Sequence, residues 1–338
     1  MTSDEMVGAT APAERDIANE IDRVTRQVAE ARASIGRVIF GQEAVIDETL
    51  ITLLAGGHLL LLGVPGLAKT RLVETLGTVL ALDARRIQCT PDLMPADILG
   101  SEVLDEGESG RRSFRFIKGP VFTQLLMADE INRASPRTQS ALLQAMQEHT
   151  VTVAGKAHPL PAPFHVLATQ NPLEQEGTYP LPEAQLDRFL LQVEVGYPDV
   201  AAERQMLLAT TGIAEDKAVQ VMTADDLLRA QTLVRRLPVG ESVIEAILAL
   251  VRSGRRGNSE RTDLIDHIAW GPGPRASQAL MLAARARALL QGRVAPSVDD
   301  IVALAPPVRR HRMALTFAAR ADGLTIDDVI GQMCEPLV

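Results

Sequence analysis

The chain has 338 residues, 46% of them hydrophobic, and a formal net charge of −9. That length and apolar content suffice for a sizeable core and for two domains, while the acidic balance argues against a general nucleic-acid binder. Two cysteines, Cys89 and Cys334, make neither a disulfide framework nor a metal motif; with no leader-like start and no apolar run near the ~18 residues of a membrane span, the expectation is a soluble cytoplasmic protein.

The charge is uneven: between Leu250 and Arg320 lie 12 arginines, no lysine and 5 acids, a local +7 that leaves −16 elsewhere. The six histidines (58, 149, 158, 165, 267 and 311) show no ligand spacing.

Residues 1–12 read as a small, polar tail. Glu14 to Ser34 reads as an amphipathic helix with Ile17, Ile21, Val24 and Val28 on one stripe, expected to pack on the domain behind it. In 38-VIFGQEAVIDETLITLLAGG-57 a Gly41-Gln42 turn opens a second helix, which ends where Gly56-Gly57 suits a C-cap.

The stretch 59-LLLLGVPGLAKT-70 follows. An apolar strand, Leu59 to Leu62, meets the turn Gly63, Val64, Pro65, Gly66, Leu67 and Ala68, then Lys69, Thr70 and Arg71 lead into an amphipathic helix. Strand, glycine loop and helix start are the context of a phosphate-binding loop, in which backbone N–H groups point inward and the helix dipole favours an anion. Lys69 would reach the β and γ phosphates of ATP, and the Thr70 hydroxyl would ligate Mg²⁺. Ala68 stands where the general pattern has a second glycine; its methyl is expected to be accommodated by a helical, negative φ. Taken alone, the loop also fits a turn that binds nothing.

Arg86 to Thr90 reads as a second strand. Within 91–122, Glu102 to Leu104 and Ser113 to Phe116 flank a DEGESGRR turn, predicting a β-hairpin inserted in the next crossover. A solvated hairpin and a substrate-facing pore loop both fit its mixed charge. In 124-QLLMADEINRA-134 an apolar strand ends in Asp129 and Glu130, which places two acids at the sheet edge where such folds bind ligands. Asp129 would hold Mg²⁺ and Glu130 would polarise the attacking water; an acidic helix cap is the alternative.

Ser135-Pro136 starts a helix running to about Gln147, and 150-TVTVAGKAHPL-160 predicts a second inserted hairpin. The strand 164-FHVLATQN-171 delivers Asn171 to the same edge, where its amide would position the hydrolytic water. Arg188, in 180-PLPEAQLDRFL-190, fits either a surface ion pair or a group that stabilises transition-state charge on a neighbouring subunit's ATP. Past Tyr197-Pro198 the chain turns helical. The starts 223-TADD-226, 297-SVDD-300 and 325-TIDD-328 read as hydroxyl caps with an acid three residues on, not as metal sites. In 271-GPGPRAS-277 a rigid turn fixes Arg275 at a helix start, from which it can reach back to the nucleotide. Arg285 and Arg287 read as solvated, and 309-RRHR-312 as an interface or acidic-partner patch.

With GVPGLAKT, LLMADEINRA, LATQNP, PLPEAQLDRF and GPGPRAS in this order, the sequence resembles the MoxR-type AAA+ ATPases over about Val38 to Arg320. The resemblance implies an α/β fold: a doubly wound parallel sheet in an αβα phosphate-loop core with two inserted hairpins, then an all-α lid. The implied division is a tail and helix at 1–34, the ATPase core at 35–198 and the lid at 199–338. It implies Lys69 and Thr70 as the phosphate-loop (Walker A) residues, Asp129 and Glu130 as the Mg²⁺ and catalytic (Walker B) acids, Asn171 as sensor 1, Arg188 as arginine finger and Arg275 as sensor 2, with Arg133 a second candidate for the trans role. In ring-forming enzymes of this kind the segment ahead of the first strand folds over the adenine, which makes Val38, Ile39 and Gly41 candidate base contacts. It further implies a homo-oligomeric, hexameric ring and a chaperone-like role toward client proteins, with von Willebrand factor A-domain partners, metal-cofactor insertion and peripheral membrane association through a partner among the family's uses. A nucleic-acid motor is the first alternative, disfavoured because 105-DEGESGRR-112 is mixed in charge and 154-AGKAH-158 has one lysine. A scaffold with little turnover is the second.

Overall fold

Leu59–Leu62 forms strand β1, and Leu59, Leu60 and Leu61 are buried toward both faces of a sheet that helices cover on each side, with Leu62 partly buried at the strand's end. The computed structural model describes residues 10–106, 112–174, 176–212, 216–256 and 262–337. The strands that follow are β2 (Ala84–Gln88), β3 (Gly100–Glu106), β4 (Arg112–Lys118), β5 (Leu125–Asp129), β6 (Thr150–Val153), β7 (Lys156–Pro159), β8 (His165–Gln170) and β9 (Leu191–Glu194). Five of them make one sheet in the order β2-β5-β8-β1-β9, every neighbouring pair parallel.

Helices α1 (Thr10–Gly36), α2 (Glu43–Leu54), α3 (Lys69–Val79), α4 (Pro95–Leu99), α5 (Pro136–Glu148) and α6 (Glu183–Leu186) complete the first half. Alternation along the strands divides the interior: Leu59, Leu61, Leu125, Met127 and Leu167 enter one core, Leu60, Leu126, Ala128, Val166 and Ala168 the other. The first core receives Val24, Val28 and Ile35 of α1; the second receives Leu142, Leu143 and Met146 of α5. The predicted stripe on α1 is therefore buried at Ile21, Val24 and Val28, while Ile17 and the tail at 1–9 lie outside the described side chains.

Both hairpins are present. β3 pairs with β4 between β2 and β5, and β6 with β7 between α5 and β8. The tip of the first, residues 107–111, lies outside the described residues. The second turns on Ala154 (φ 48°) and Gly155 (φ 79°), two left-handed residues in succession as a tight hairpin requires. β2 runs over Ala84–Gln88, two residues earlier than the sequence suggests, because its pairing with β5 begins at Ala84 opposite Leu125.

The second half is helical: α7 (Val200–Thr210), α8 (Ala224–Arg236), α9 (Glu241–Ser253), α10 (Thr262–Ile265), α11 (Pro274–Leu290), α12 (Val298–Arg309), α13 (Phe317–Ala321) and α14 (Ile326–Cys334). A short antiparallel ribbon, β10 (Ile268–Trp270) with β11 (Ala314–Leu315), is clipped onto it. All three TxDD-type starts are capping boxes. The cap residue's N–H donates to Asp226, Asp300 or Asp328 at 3.0, 2.8 and 2.9 Å.

Two readings of the arginine-rich segment need correction. Asp300 is fully buried and is ion-paired with Arg287 and Arg293, so Arg287 neutralises an interior carboxylate and is not a solvated residue. Arg285 likewise donates to the Arg235 carbonyl at 3.2 Å. The 309–312 run is not a surface patch: Arg309, His311 and Arg312 are buried. Arg312 donates to the carbonyls of Phe189 (2.6 Å), Leu190 (3.0 Å) and Val308 (2.6 Å) and to Asp187 (2.6 Å). It fastens the turn between α6 and β9 to the lid.

Candidate active site

The chain leaves β1 toward β2 at one edge of the sheet and leaves β8 toward β9 on the other side of β1. Adjacent strands whose connections part in this way open a crevice at their C-terminal ends. A cavity of about 460 Å³ lies there, lined by Pro65 to Arg71 from the loop after β1, Arg86 and Gln88 from β2, Asp129 and Glu130 from β5, and Thr169, Gln170 and Asn171 from β8.

The loop is shaped by backbone that side chains rarely adopt. Gly66 has φ +86°, and a Cβ on Gly63 would stand 2.8 Å from the Val195 carbonyl oxygen. Ala68 is also left-handed, at φ 55° and ψ 18°, which corrects the expectation of negative φ. Alanine tolerates this region at a cost of about 1–2 kcal/mol, and α3 begins at the next residue, with Leu72 N–H bonded to the Ala68 carbonyl at 2.9 Å. The Lys69 ammonium donates to the carbonyls of Gly63 (2.6 Å) and Val64 (2.8 Å). Burial lowers its pKa, and Asp129 and Glu130 raise it in opposition.

The acids are held by neighbours that the sequence did not single out. Thr169 donates its hydroxyl hydrogen to Asp129 Oδ1 at 2.5 Å and accepts the Glu130 N–H at 2.8 Å. Glu130 itself is left-handed, φ 54° and ψ 52°. The parallel register sets Gln88 opposite Asp129. Accordingly Arg86 donates to Asp129 Oδ2 at 2.5 Å and Gln88 donates to Glu130 Oε2 at 2.9 Å. Arg133 also donates to Glu130, at 3.1 Å, and so is engaged within its own chain. Asn171, one residue past β8 and buried, accepts the Leu173 N–H at 3.1 Å. The signal for Arg86 and Gln88 was their i, i+2 spacing on a strand, which puts both side chains on one face.

A second cavity of about 310 Å³ shares Pro65 to Ala68 and Arg71 with the first and adds Val38, Ile39, Phe40, Tyr197, Pro198 and Met206. Val38 and Ile39 therefore line an apolar annex to the phosphate loop. Gly41 does not line it but supports its wall: φ is +64°, and a Cβ there would run into Ala202 and Pro198.

Arg188 and Arg275 are absent from both linings. They share a separate cavity of about 200 Å³ with His58, Met146, Gln147 and Asp187, and Arg275 sits 3.7 Å from the Asp187 carboxylate. Burial, then the nearby Arg275 charge, lowers the Arg188 pKa. The structure thus brings the two arginines to each other and not to their own chain's phosphate loop.

Thr70 and Asp129 offer a hydroxyl and a carboxylate, the hard oxygen donors that Mg²⁺ takes alongside phosphate oxygens. Among the described residues no cluster of three or more His, Cys, Asp or Glu side chains is placed to hold a metal without such a ligand.

A loop that wraps phosphate, set at the crevice of a parallel sheet and followed by a helical lid, belongs to the AAA-type phosphate-loop ATPases. Residues 58–191 match the family model for ATPases associated with various cellular activities (AAA), and residues 261–333 match the AAA lid domain. The chain is 40% identical over 320 residues to Chaperone MoxR1 of Mycobacterium tuberculosis, spanning 94% of this chain and 83% of that one. It is 31% identical over 298 residues to Protein MoxR of Methylorubrum extorquens, spanning 83% and 85%. A crystal structure of a candidate ATPase from Cytophaga hutchinsonii superposes with a TM-score of 0.86 at 34% identity, covering 97% of this chain and 98% of that one. The chain belongs to the MoxR family of AAA+ ATPases.

Proposed function

We propose that the chain is an ATP-hydrolysing, chaperone-like remodelling ATPase that works as a homo-oligomeric, hexameric ring in the cytoplasm. The observation that carries this reading is the convergence of Lys69, Thr70, Asp129 and Glu130 on one cavity of about 460 Å³. Lys69, with the N–H groups of Gly66 to Thr70, binds the phosphates, and Val38, Ile39 and their apolar annex receive the adenine. Thr70 and Asp129 hold Mg²⁺, which when bound neutralises charge on the β and γ phosphates. Glu130 accepts the proton of the attacking water while Asn171 orients that water.

Arg188 and Arg275 line a cavity of their own, separate from the one lined by the phosphate loop, which supports a joint role on the ATP of a neighbouring subunit. In this arrangement both act in trans, and Arg312, by fixing the Arg188-bearing turn to the lid, couples lid position to that arginine. The similarity to Chaperone MoxR1 of Mycobacterium tuberculosis supports the chaperone role; von Willebrand factor A-domain partners and metal-cofactor insertion are the client uses to examine first. The paired hairpins are the elements that lid motion would displace against a client.

The test is turnover and binding together. Glu130→Gln is expected to bind ATP and lose hydrolysis, and Lys69→Ala to lose binding. Arg188→Ala is expected to bind ATP yet hydrolyse poorly and to be rescued by mixing with Lys69→Ala, because each chain supplies what the other lacks. Full hydrolysis by Glu130→Gln would remove the catalytic assignment, and full activity of isolated monomers would remove the trans role.

A further inference from the structure

Strand β2 lies at the edge of the sheet, with β5 as its neighbour. An edge strand accommodates long charged side chains, because its free side packs against no further strand. Arg85 pairs with Asp83, at 3.7 Å. Arg86, on the alternate face, stands opposite Met127 in the register yet reaches two residues farther, to Asp129, and so enters the lining of the phosphate cavity. No step of the proposed hydrolysis uses this cation.

Each carboxylate oxygen of Asp129 has a donor. Oδ1 accepts from the Thr169 hydroxyl at 2.5 Å, and Oδ2 accepts from Arg86 Nη2 at 2.5 Å. The two donors differ in kind. Thr169 is short, neutral and fully buried, a fixed support. Arg86 is charged, its side chain is 49% exposed, and its planar fork fits carboxylate and phosphate alike. An ion pair this open to water contributes little stability, so it breaks readily when a stronger acceptor arrives. The same Nη2 donates to Gln88 Oε1 at 2.9 Å, which keeps the guanidinium at the cavity wall. Arg86 thus occupies the carboxylate that the site offers to Mg²⁺, and a guanidinium and a divalent cation on one carboxylate repel each other.

We infer that Arg86 guards the metal site: it holds Asp129 until the γ-phosphate of ATP offers a stronger acceptor, and only then yields the carboxylate to Mg²⁺. This deepens the reading of the cavity as an Mg²⁺-ATP site and rests on it. Arg86 and Lys69 line the same cavity, so a triphosphate held by Lys69 lies in the space that Arg86 borders. A phosphate dianion outcompetes a single carboxylate for the guanidinium fork. ADP brings no γ-phosphate, so in the ADP complex Arg86 stays on Asp129 and the metal is held more weakly. Metal affinity thereby depends on the terminal phosphate. Arg86 acts here through Asp129, as a positioning residue, and transfers no proton.

The probe is Mn²⁺, which takes the oxygen donors that Mg²⁺ takes and whose free form electron paramagnetic resonance counts. Wild-type, Arg86→Gln and Arg86→Lys chains, each first checked for a native circular dichroism spectrum and unfolding midpoint, are titrated with Mn²⁺. One series carries ADP and the other the non-hydrolysable β,γ-imido analogue of ATP, with protein in excess. In the ADP complex Arg86→Gln is expected to bind Mn²⁺ about fivefold more tightly than wild type, the upper range for so exposed an ion pair. In the analogue complex the two should agree within about twofold, because wild-type Arg86 has already left Asp129 there. Arg86→Lys keeps the charge and should stay near wild type with ADP. Unchanged or weaker Mn²⁺ binding by the Arg86→Gln ADP complex, with nucleotide affinity intact, overturns the guard and spares the nucleotide site. Equal tightening in both complexes also overturns it, since Arg86 then does not respond to the γ-phosphate. Wild-type protein that binds neither nucleotide overturns the guard and the site reading together.

Discussion

Thr169→Val removes one hydroxyl and almost nothing else, and it isolates the support beneath the two acids. The Thr169 oxygen bridges Asp129 Oδ1 (2.5 Å) and the Glu130 N–H (2.8 Å), and the residue is fully buried. A bond to a carboxylate contributes about 1.5–3 kcal/mol and one to a backbone N–H about 0.5–1.5 kcal/mol. Their sum, about 3 kcal/mol, exceeds the roughly 1 kcal/mol or more that a left-handed Glu130 costs at φ 54°. Without Thr169 the strain outweighs the restraint and the Glu130 carboxylate loses its aim. If half of the lost energy falls on the transition state, kcat drops about tenfold, since ~1.4 kcal/mol is a factor of ten. The KM for ATP should stay near the wild-type value, because Thr169 binds no phosphate in this arrangement. Thr169→Ser, which keeps the hydroxyl, should restore most of the rate. Steady-state kinetics of the three proteins decide it: a Thr169→Val protein with native stability and turnover within twofold of wild type refutes the reasoning.

Ala68→Gly should keep nucleotide affinity within a few-fold, since glycine adopts the observed φ of 55° freely, whereas Ala68→Val should weaken it by tenfold or more; equal affinities for the two variants, by fluorescent-nucleotide titration, would contradict the left-handed loop. Acid should destabilise the fold before any carboxylate with a lowered pKa titrates. Burial lowers the pKa of His58 to about 3, of His165 to about 4 and of His311 well below its usual value. The unfolded chain therefore takes up protons first, and stability present above pH ~6.5 is lost as pH falls, about 1.4 kcal/mol per histidine by pH 5.5. Glu48, raised to about 7 mainly by burial, acts in the opposite sense and offsets about 2 kcal/mol, which leaves a net loss of about 2 kcal/mol. Chemical denaturation at pH 7.5 and 5.5 measures it, and equal midpoints would refute the assignment of neutral, buried rings. Arg312→Met removes the Arg312 bonds to the Leu190 carbonyl and Asp187 and one of the two at the Phe189 carbonyl, which His311 Nε2 also meets at 3.0 Å, and is expected to cost about 3 kcal/mol and to lower hydrolysis more than ATP affinity, as loss of Arg188 positioning requires; a parallel fall in both would point to general unfolding instead.

What the sequence made legible was what is contiguous along it. The phosphate loop is one run of twelve residues, β5 announces itself as an unbroken apolar stretch ending in acids, and each capping box fits within four positions. The residues that escaped are those assembled by strand register or by long-range packing. Gln88 meets Glu130 only because β2 and β5 pair with Gln88 opposite Asp129, and no local pattern fixes that register. Arg312 looks exposed in a run of cations, yet its acceptors are carbonyls 122 and 123 residues earlier in the chain. Ala68 misleads for a different reason: residue type gives the cost of a left-handed φ but not whether neighbouring turns impose it. The missed residues share one property. Thr169, Gln88 and Arg312 act on residues already recognisable, holding Asp129, Glu130 and the Arg188 turn in place. Chemistry-bearing side chains can be read from their own spacing, because phosphate and metal dictate it. The groups that aim them answer only to the fold, and for those the register of the sheet and the seating of the lid are the determining facts.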